Sequence, residues 1–334
     1  MIHSNGMSGQ GARLKSFAPL AIGIVSVTMM TSAPTLAQTV GYAEAVDQLS
    51  TSCRADIAKY CNSEPLGGGR VWQCLSRNRV SASCSSSVSA LGALLQKRSA
   101  AQAAVPKVCD VDIRRMCQGV QQGDGNLMEC FYKAKRNVSP ACQQAVTDAG
   151  YEVGLAPAGR SGGPINLSAG QLVTSLQNAE STPATAMTAA QLQRLANQSL
   201  TDPKRNSRLN RAPLVGDLDK LAQFTIAVQF DLGSARIRPD SFRAVGLMAD
   251  ALNHPYLHGY RFIVVGHTDG TGDRNHNLRL SQQRADAIRA ALISPFDIPQ
   301  SRIEAVGLGE EQLLKPAKPD ASENRRVQLI NVGK

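Results

Sequence analysis

Eight cysteines in this 334-residue chain fall into two sets of four, and the second set repeats the first. Cys53, Cys61, Cys74 and Cys84 precede Cys109, Cys117, Cys130 and Cys142. A shift of 56 residues superimposes three of the four and leaves the last off by two. The surroundings repeat as well. Cys53-Arg-Ala-Asp56-Ile57-x-x-x-Cys61 recurs as Cys109-Asp-Val-Asp112-Ile113-x-x-x-Cys117. Gly67 and Gly69 recur as Gly123 and Gly125, and Val80-Ser81-Ala82-Ser83-Cys84 as Val138-Ser139-Pro140-Ala141-Cys142. One unit has been duplicated.

Each unit reads as a helical hairpin. Cys53, Ile57, Tyr60 and Cys61 share one helix face, as do Cys109, Ile113, Met116 and Cys117. The glycines break the chain, and a second helix carries Trp72, Cys74 and Leu75. A third helical stretch is expected over Ser85–Gln96. So short a unit has a thin apolar face, and cross-links compensate for that. Two antiparallel helices favour nested pairing: Cys61–Cys74 inside Cys53–Cys84, and Cys117–Cys130 inside Cys109–Cys142. Four cysteines allow three connectivities per unit. Zinc is the competing use of these thiols. It is disfavoured because the region holds neither a Cys-x-x-Cys nor a histidine.

Oxidised cysteines require export, and the N-terminus supplies a signal for it. Arg13 and Lys15 precede an apolar run from Phe17 to Met30, and small residues lead to a cleavage point after Ala37. The run is too short, at about 14 residues, to span a bilayer comfortably. Residues 1–37 are therefore expected to be removed, leaving a periplasmic or envelope protein with no transmembrane segment. The net charge of +10 is spread along the chain rather than gathered on one element, which argues against a nucleic-acid binder.

Residues 38–150 hold the repeats, at about 53–84 and 109–142. Residues 151–220 read as a flexible linker rich in Gly, Ala and Pro over Gly154–Gly163, with short helices possible at Leu167–Asn178 and Thr188–Leu200. From 221 to 334 strands and helices alternate. Strands are expected at Phe224–Phe230, Phe262–Val265, Ile303–Val306 and Arg326–Val332, and helices at Pro239–Leu252 and Asn275–Ile293. The pattern implies helices packed on a sheet, a two-layer α/β sandwich. The whole is a multidomain α+β protein.

Two charges stand out. Asp269 follows a buried strand, and Arg284 interrupts the apolar stripe Leu280, Ile288, Leu292 of the long helix. A guanidinium there is costly unless it meets a carboxylate. Either the two pair as structural glue, or they face one zwitterionic ligand, Arg284 taking its carboxylate and Asp269 its ammonium. His267 and the Gly307-x-Gly309 turn carry no catalytic or phosphate-binding partner motif.

Five motifs occur in one order over about 110 residues. They are Phe230-Asp231, Gly266-His267-Thr268-Asp269-Gly270-x-Gly272, Asn277-x-x-Leu280-Ser281-x-x-Arg284-Ala285, Gly307-x-Gly309 and Asn324-Arg325-Arg326-Val327. Together they resemble the OmpA-like peptidoglycan-binding domain. The resemblance implies that Asp269 and Arg284 hold the zwitterionic centre of diaminopimelate in the cell-wall stem peptide. It implies that Asn277 and Arg326 support the pocket and that Phe230 and Asp231 line its edge. His276 stands where that family commonly has a tyrosine, and the proline after Gly309 comes late, at Pro316. The cysteine motif resembles the cysteine-rich repeat first described in a Golgi glycoprotein, which implies a disulfide-bonded binding module without naming a ligand.

The expectation is a non-enzymatic anchor. Peptidoglycan is one partner, the cysteine-rich module holds an unknown second ligand, and no cofactor, metal or nucleic acid is involved. The rivals are an adhesin or receptor merely anchored to the wall, and a cell-wall-modifying enzyme, for which no nucleophile–base or metal cluster is legible.

Overall fold

The computed structural model describes residues 40–123, 125–152, 168–177, 188–207, 209–216 and 218–334. The expected signal peptide, its cleavage point and the Gly154–Gly163 stretch lie outside the described residues.

The first repeat comprises α1 (Tyr42–Ser52), α2 (Arg54–Tyr60), a 3-10 turn at Gly67–Gly69, α3 (Arg70–Arg77) and the start of α4 (Ala82–Val108). The second comprises α5 (Asp110–Met116), α6 (Asn126–Ala134) and α7 (Pro140–Asp148). Cysteine pairing is nested: Cys53–Cys84 around Cys61–Cys74, and Cys109–Cys142 around Cys117–Cys130. No cysteine is left free for zinc.

The repeated aspartate and serine explain each other. Asp56 accepts from the amide of Ser81 at 3.2 Å and its hydroxyl at 2.7 Å. Asp112 does the same with Ser139, at 3.1 and 2.7 Å. Each serine then caps the following helix by accepting from the amide of Cys84 or Cys142. The motif thus fixes the approach of the two helices that the outer disulfide joins. The expected third helix is much longer than Ser85–Gln96. At 27 residues α4 runs through to the second repeat, so the two units share one rod.

The C-terminal sheet has the order β1-β4-β2-β3, with β1 (Gln223–Ile226), β2 (Phe262–His267), β3 (Ile303–Gly309) and β4 (Val327–Asn331). β4 is antiparallel to both β1 and β2, and β2 is parallel to β3. Helices α10 (Phe242–Leu252) and α11 (Arg274–Ile293) cover one face, against Phe262, Val264 and Leu329. Strand alternation sends Ile263, Val265 and Ile330 to the other face.

That second face overturns the tether expected over 151–220. In the described stretches, α8 (Ala169–Gln177) buries Leu172 and Leu176 in the main core. Helix α9 (Ala189–Thr201) lays Leu192 and Ala196 over Ile263, Val265 and Val306. Thr188 and Gln191 form a capping box on α9, and the amide of Ala189 donates to Glu304 at 3.0 Å. Beyond α9, Arg211 reaches Glu310 and Glu311 at 3.3 and 3.2 Å. Arg274 grips Glu311 with two bonds of 2.8 Å. An apolar sheet face must be covered, and this segment covers it.

The repeats are docked as well, not held at a distance. The described residues from 40 to 334 form a single compact unit. Helix α1 has no side-chain cap of its own. Instead Asp250 of α10 accepts from the amides of Tyr42 and Ala43, both at 3.0 Å. Asp250 also pairs with Arg98 of α4 at 2.7 Å, and the Arg98 guanidinium lies 3.6 Å from the centre of the Tyr42 ring. Gly67 packs so tightly on α11 that a Cβ would sit 2.6 Å from that of Ala290.

The second repeat meets a short turn at Pro255–Leu257, where Tyr132 packs edge-on against His254 with ring centres 4.7 Å apart. His254 Nδ1 accepts from the amide of Tyr256, and its Nε2 is enclosed with no partner. Burial, with a smaller push from Lys135, lowers its pKa to about 3; burial, with Arg302, lowers that of His258 to about 4. Both are therefore neutral when folded. Their contribution is complete above the unfolded value of 6.5 and is lost as pH falls toward the folded values. For His254 the full loss is on the order of 5 kcal/mol. Melting temperature should be flat above pH 7 and fall between pH 6 and 5, before carboxylates titrate, and His254→Gln should flatten that fall. An unchanged slope in the variant would remove His254 as the cause.

Candidate functional site

The site is built where α11 crosses the ends of β2 and β3. Gly266 and Gly307 permit the crossing. A Cβ on Gly307 would lie 2.1 Å from the amide nitrogen of Gln282, and one on Gly266 would lie 2.3 Å from the carbonyl oxygen of Ser281. Both glycines lie within strands, so Gly307-x-Gly309 is a close-approach element rather than the expected terminal turn. Ser281 accepts from the amide of Gly309 at 2.8 Å.

One helical turn earlier, Asn277 donates to the carbonyl of Thr271 and to Glu310, each at 2.8 Å, and to the carbonyl of Asp269 at 3.4 Å. It is buried. Asn277 therefore holds the loop that carries Asp269, and Ser281 holds the strand beside it. One turn further on, Arg284 emerges on the same side of the helix. The spacing of the Asn277–Ala285 motif is the spacing of successive α-helical turns.

Asp269 is well supplied. Its Oδ1 accepts from the amide and hydroxyl of Thr271 at 3.0 and 2.5 Å, and its Oδ2 from Arg325 at 2.6 Å. Burial raises its pKa, but the Thr271 bonds and Arg325 outweigh that, and the carboxyl stays below its ordinary value.

Arg284 is not supplied in the same way. Its Nε donates to the carbonyl of Ser234 at 3.0 Å, and its guanidinium lies 4.9 Å from the centre of the Phe230 ring. Among the described residues it makes no ion pair, and its terminal nitrogens have no protein acceptor. Burial, then the charge of Arg325, lowers its pKa, while Asp269 raises it. Arg302 is a useful contrast. Arg302 is buried where Arg284 is half-buried, and it likewise lacks a carboxylate, but the carbonyls of Leu252, Leu257 and Tyr260 take its donors. Such donors on Arg284 remain open for an anion.

Phe230 is thus the platform beneath Arg284. Asp231 pairs with Arg236 and braces the turn that presents the Ser234 carbonyl. The adjacent arginines separate. Arg325 holds Asp269, whereas Arg326 is buried and donates to the carbonyl of Gln312 at 3.0 Å and to Gln328 at 3.4 Å. The arginine that bonds Asp269 is Arg325, not the Arg326 expected to support the pocket. The reason is local: Arg325 precedes β4 in a non-strand conformation, so strand alternation does not fix where it points. His267 is enclosed, and burial with Arg326 drives its pKa well below the ordinary range. Among the described residues no group of side chains could hold a metal ion, and no helix is long and apolar enough to cross a membrane.

Comparison with known proteins locates both parts. The model of the OmpA family matches residues 229–326, and that of a cysteine-rich repeat matches 44–83. A peptidoglycan-associated lipoprotein of Pseudomonas aeruginosa is 30% identical over 132 residues, which are 38% of this chain and 76% of the relative. Outer membrane porin F of the same species is 28% identical over 124 residues, 36% of this chain but only 33% of the porin's length. The crystal structure of the peptidoglycan-associated lipoprotein from Burkholderia pseudomallei is matched at 28% identity, over 40% of this chain and 98% of that one, with a TM-score of 0.27. By its motifs and its identity to the Pseudomonas aeruginosa lipoprotein, the chain belongs to the OmpA family, and it carries a cysteine-rich repeat ahead of the family's domain.

Proposed function

We propose that the pocket between Asp269 and Arg284 binds peptidoglycan non-covalently, through the amino-acid centre at the end of the diaminopimelate side chain, and so attaches this protein to the cell wall of a bacterial envelope. One observation carries this. Asp269, the carboxylate expected to meet Arg284, is engaged by Arg325, and among the described residues no acceptor takes the terminal donors of Arg284. A buried-edge guanidinium with no internal acceptor favours an external carboxylate. The Asp269 carboxylate beside it favours the ammonium on the same carbon. The names of the lipoprotein relatives point to the same polymer.

The cysteine-rich repeats, docked on α10 and α11, act in this reading as a brace that enlarges the wall-binding body.

The test is co-sedimentation of the full chain with isolated sacculi. Diaminopimelate-type sacculi should retain the protein, and lysine-type sacculi, whose side chain lacks the terminal carboxylate, should not. Asp269→Ala and Arg284→Ala should each cut retention at least about tenfold, as expected for loss of a charge-assisted bond, with circular dichroism unchanged. Retention at the wild-type level by both variants would end the proposal.

A further inference from the structure

The pocket holds one carboxylate and two guanidinium groups. Asp269 is almost enclosed, with 9% of its side chain exposed, while its partner Arg325 is 52% exposed. Arg284 feels both Arg325 and Asp269. A zwitterionic centre adds one charge of each sign, so it leaves the excess cation of this site unmatched.

Arg325 also occupies the place the ammonium needs. Oδ1 of Asp269 is committed to Thr271, and Oδ2 is the oxygen Arg325 holds. A ligand ammonium must therefore share or displace that bond. Because the cation of this pair is half-exposed, water and salt screen it and weaken the bond relative to a fully buried pair. Thr271 keeps the carboxylate oriented after Arg325 has moved. A half-exposed guanidinium released at the rim of the pocket then requires another anion.

We infer that Arg325 is a specificity residue: it exchanges Asp269 for a second free carboxylate on the same stem peptide, so the pocket selects peptides that carry one. This rests on the anchoring proposed above. Two stem-peptide groups have the required chemistry, the α-carboxylate of the glutamate and the C-terminal carboxylate.

Calorimetric titration of the full, disulfide-bonded chain separates them. The probes are muramyl tetrapeptides of the diaminopimelate type with both carboxylates free, with the glutamate α-carboxylate amidated, or with the C-terminal carboxylate amidated. One of the two amidations should weaken wild-type binding by about tenfold, the scale of a partly exposed charge-assisted bond. Arg325→Gln should bind the free and amidated forms alike. The wild-type preference should shrink as salt is raised, because the exchanged pair is exposed. Wild-type indifference to both amidations, or an Arg325→Gln variant that discriminates as well as wild type, would overturn the inference. Arg284→Ala separates the two claims. If it abolishes binding of every form while wild type shows no preference, the anchor stands and the role of Arg325 falls. If it binds every form as wild type does, the anchor itself falls, and with it this inference.

Discussion

Arg98→Ala should destabilise the protein by about 3–5 kcal/mol, the cost of removing one partner from a fully buried ion pair. Arg98 is 1% exposed, and its guanidinium is enclosed by Asp250, the Tyr42 ring and the carbonyl of Gly150. Truncation leaves Asp250 as a buried anion with two amides of α1 as its remaining donors. Asp250→Ala should cost at least as much, because it unpairs Arg98 and uncaps α1 together. The double variant Arg98→Met with Asp250→Ala should recover part of the loss, since the uncompensated charge is then gone. Urea unfolding followed by fluorescence of the single tryptophan, Trp72, reads all three. A loss below about 1 kcal/mol in Arg98→Ala, the scale of a surface pair, would show that the docking seam is wet rather than sealed.

Removing the outer bridge of the first repeat, as Cys53→Ala with Cys84→Ala, should cost about 3.7 kcal/mol from chain entropy alone. It closes 31 residues, whereas Cys61–Cys74 closes 13, which gives about 2.9 kcal/mol on the same scale. Packing enlarges the difference. Both outer cysteines are fully enclosed in the core shared with α10, while Cys74 is only half-buried. Reductant should reach the outer bridges only through unfolding, so thiol labelling under mild reduction should appear at Cys61 and Cys74 first. Equal losses from the two pairs, or first labelling at Cys53, would contradict this order.

Much of this was readable in the residues, and the limits have physical causes. The nested bridges follow from cysteine spacing because a helix face and a hairpin leave little choice of geometry. The shared helix face of the candidate site follows from motif spacing, since Asn277, Ser281 and Arg284 lie on successive helical turns. The docking of the repeats was missed, although α10 carried a signal of it. All eleven of its residues, Phe242 to Leu252, are buried, as befits a helix apolar nearly all round and covered on every side. Arg243 and Asp250 broke that run, and only tertiary structure shows which cation meets Asp250. The cover on the second sheet face was also signalled. Phe262-Ile263-Val264-Val265 reads as buried on both faces, yet residues 221–334 contain helices for one. Leu192 and Ala196 of the presumed tether supply the other. The exchange of Arg325 for Arg326 had no signal, because neighbouring arginines at the entry to a strand are equivalent until the backbone chooses.

The nested bridges also set how the molecule responds to tension. Pulled between its amino end and a wall-bound pocket, an unbridged chain would lengthen as its helices gave way, at about 3.5 Å per released residue. Cys53–Cys84 and Cys109–Cys142 short-circuit stretches of 31 and 33 residues, so each withholds roughly 110 Å of slack. What lies inside each bridge cannot be drawn out even when its hydrogen bonds are broken. Mechanically the two repeats are locked links joined by α4, whose residues 85–108 lie outside both bridges and are the part of this region left to yield under load.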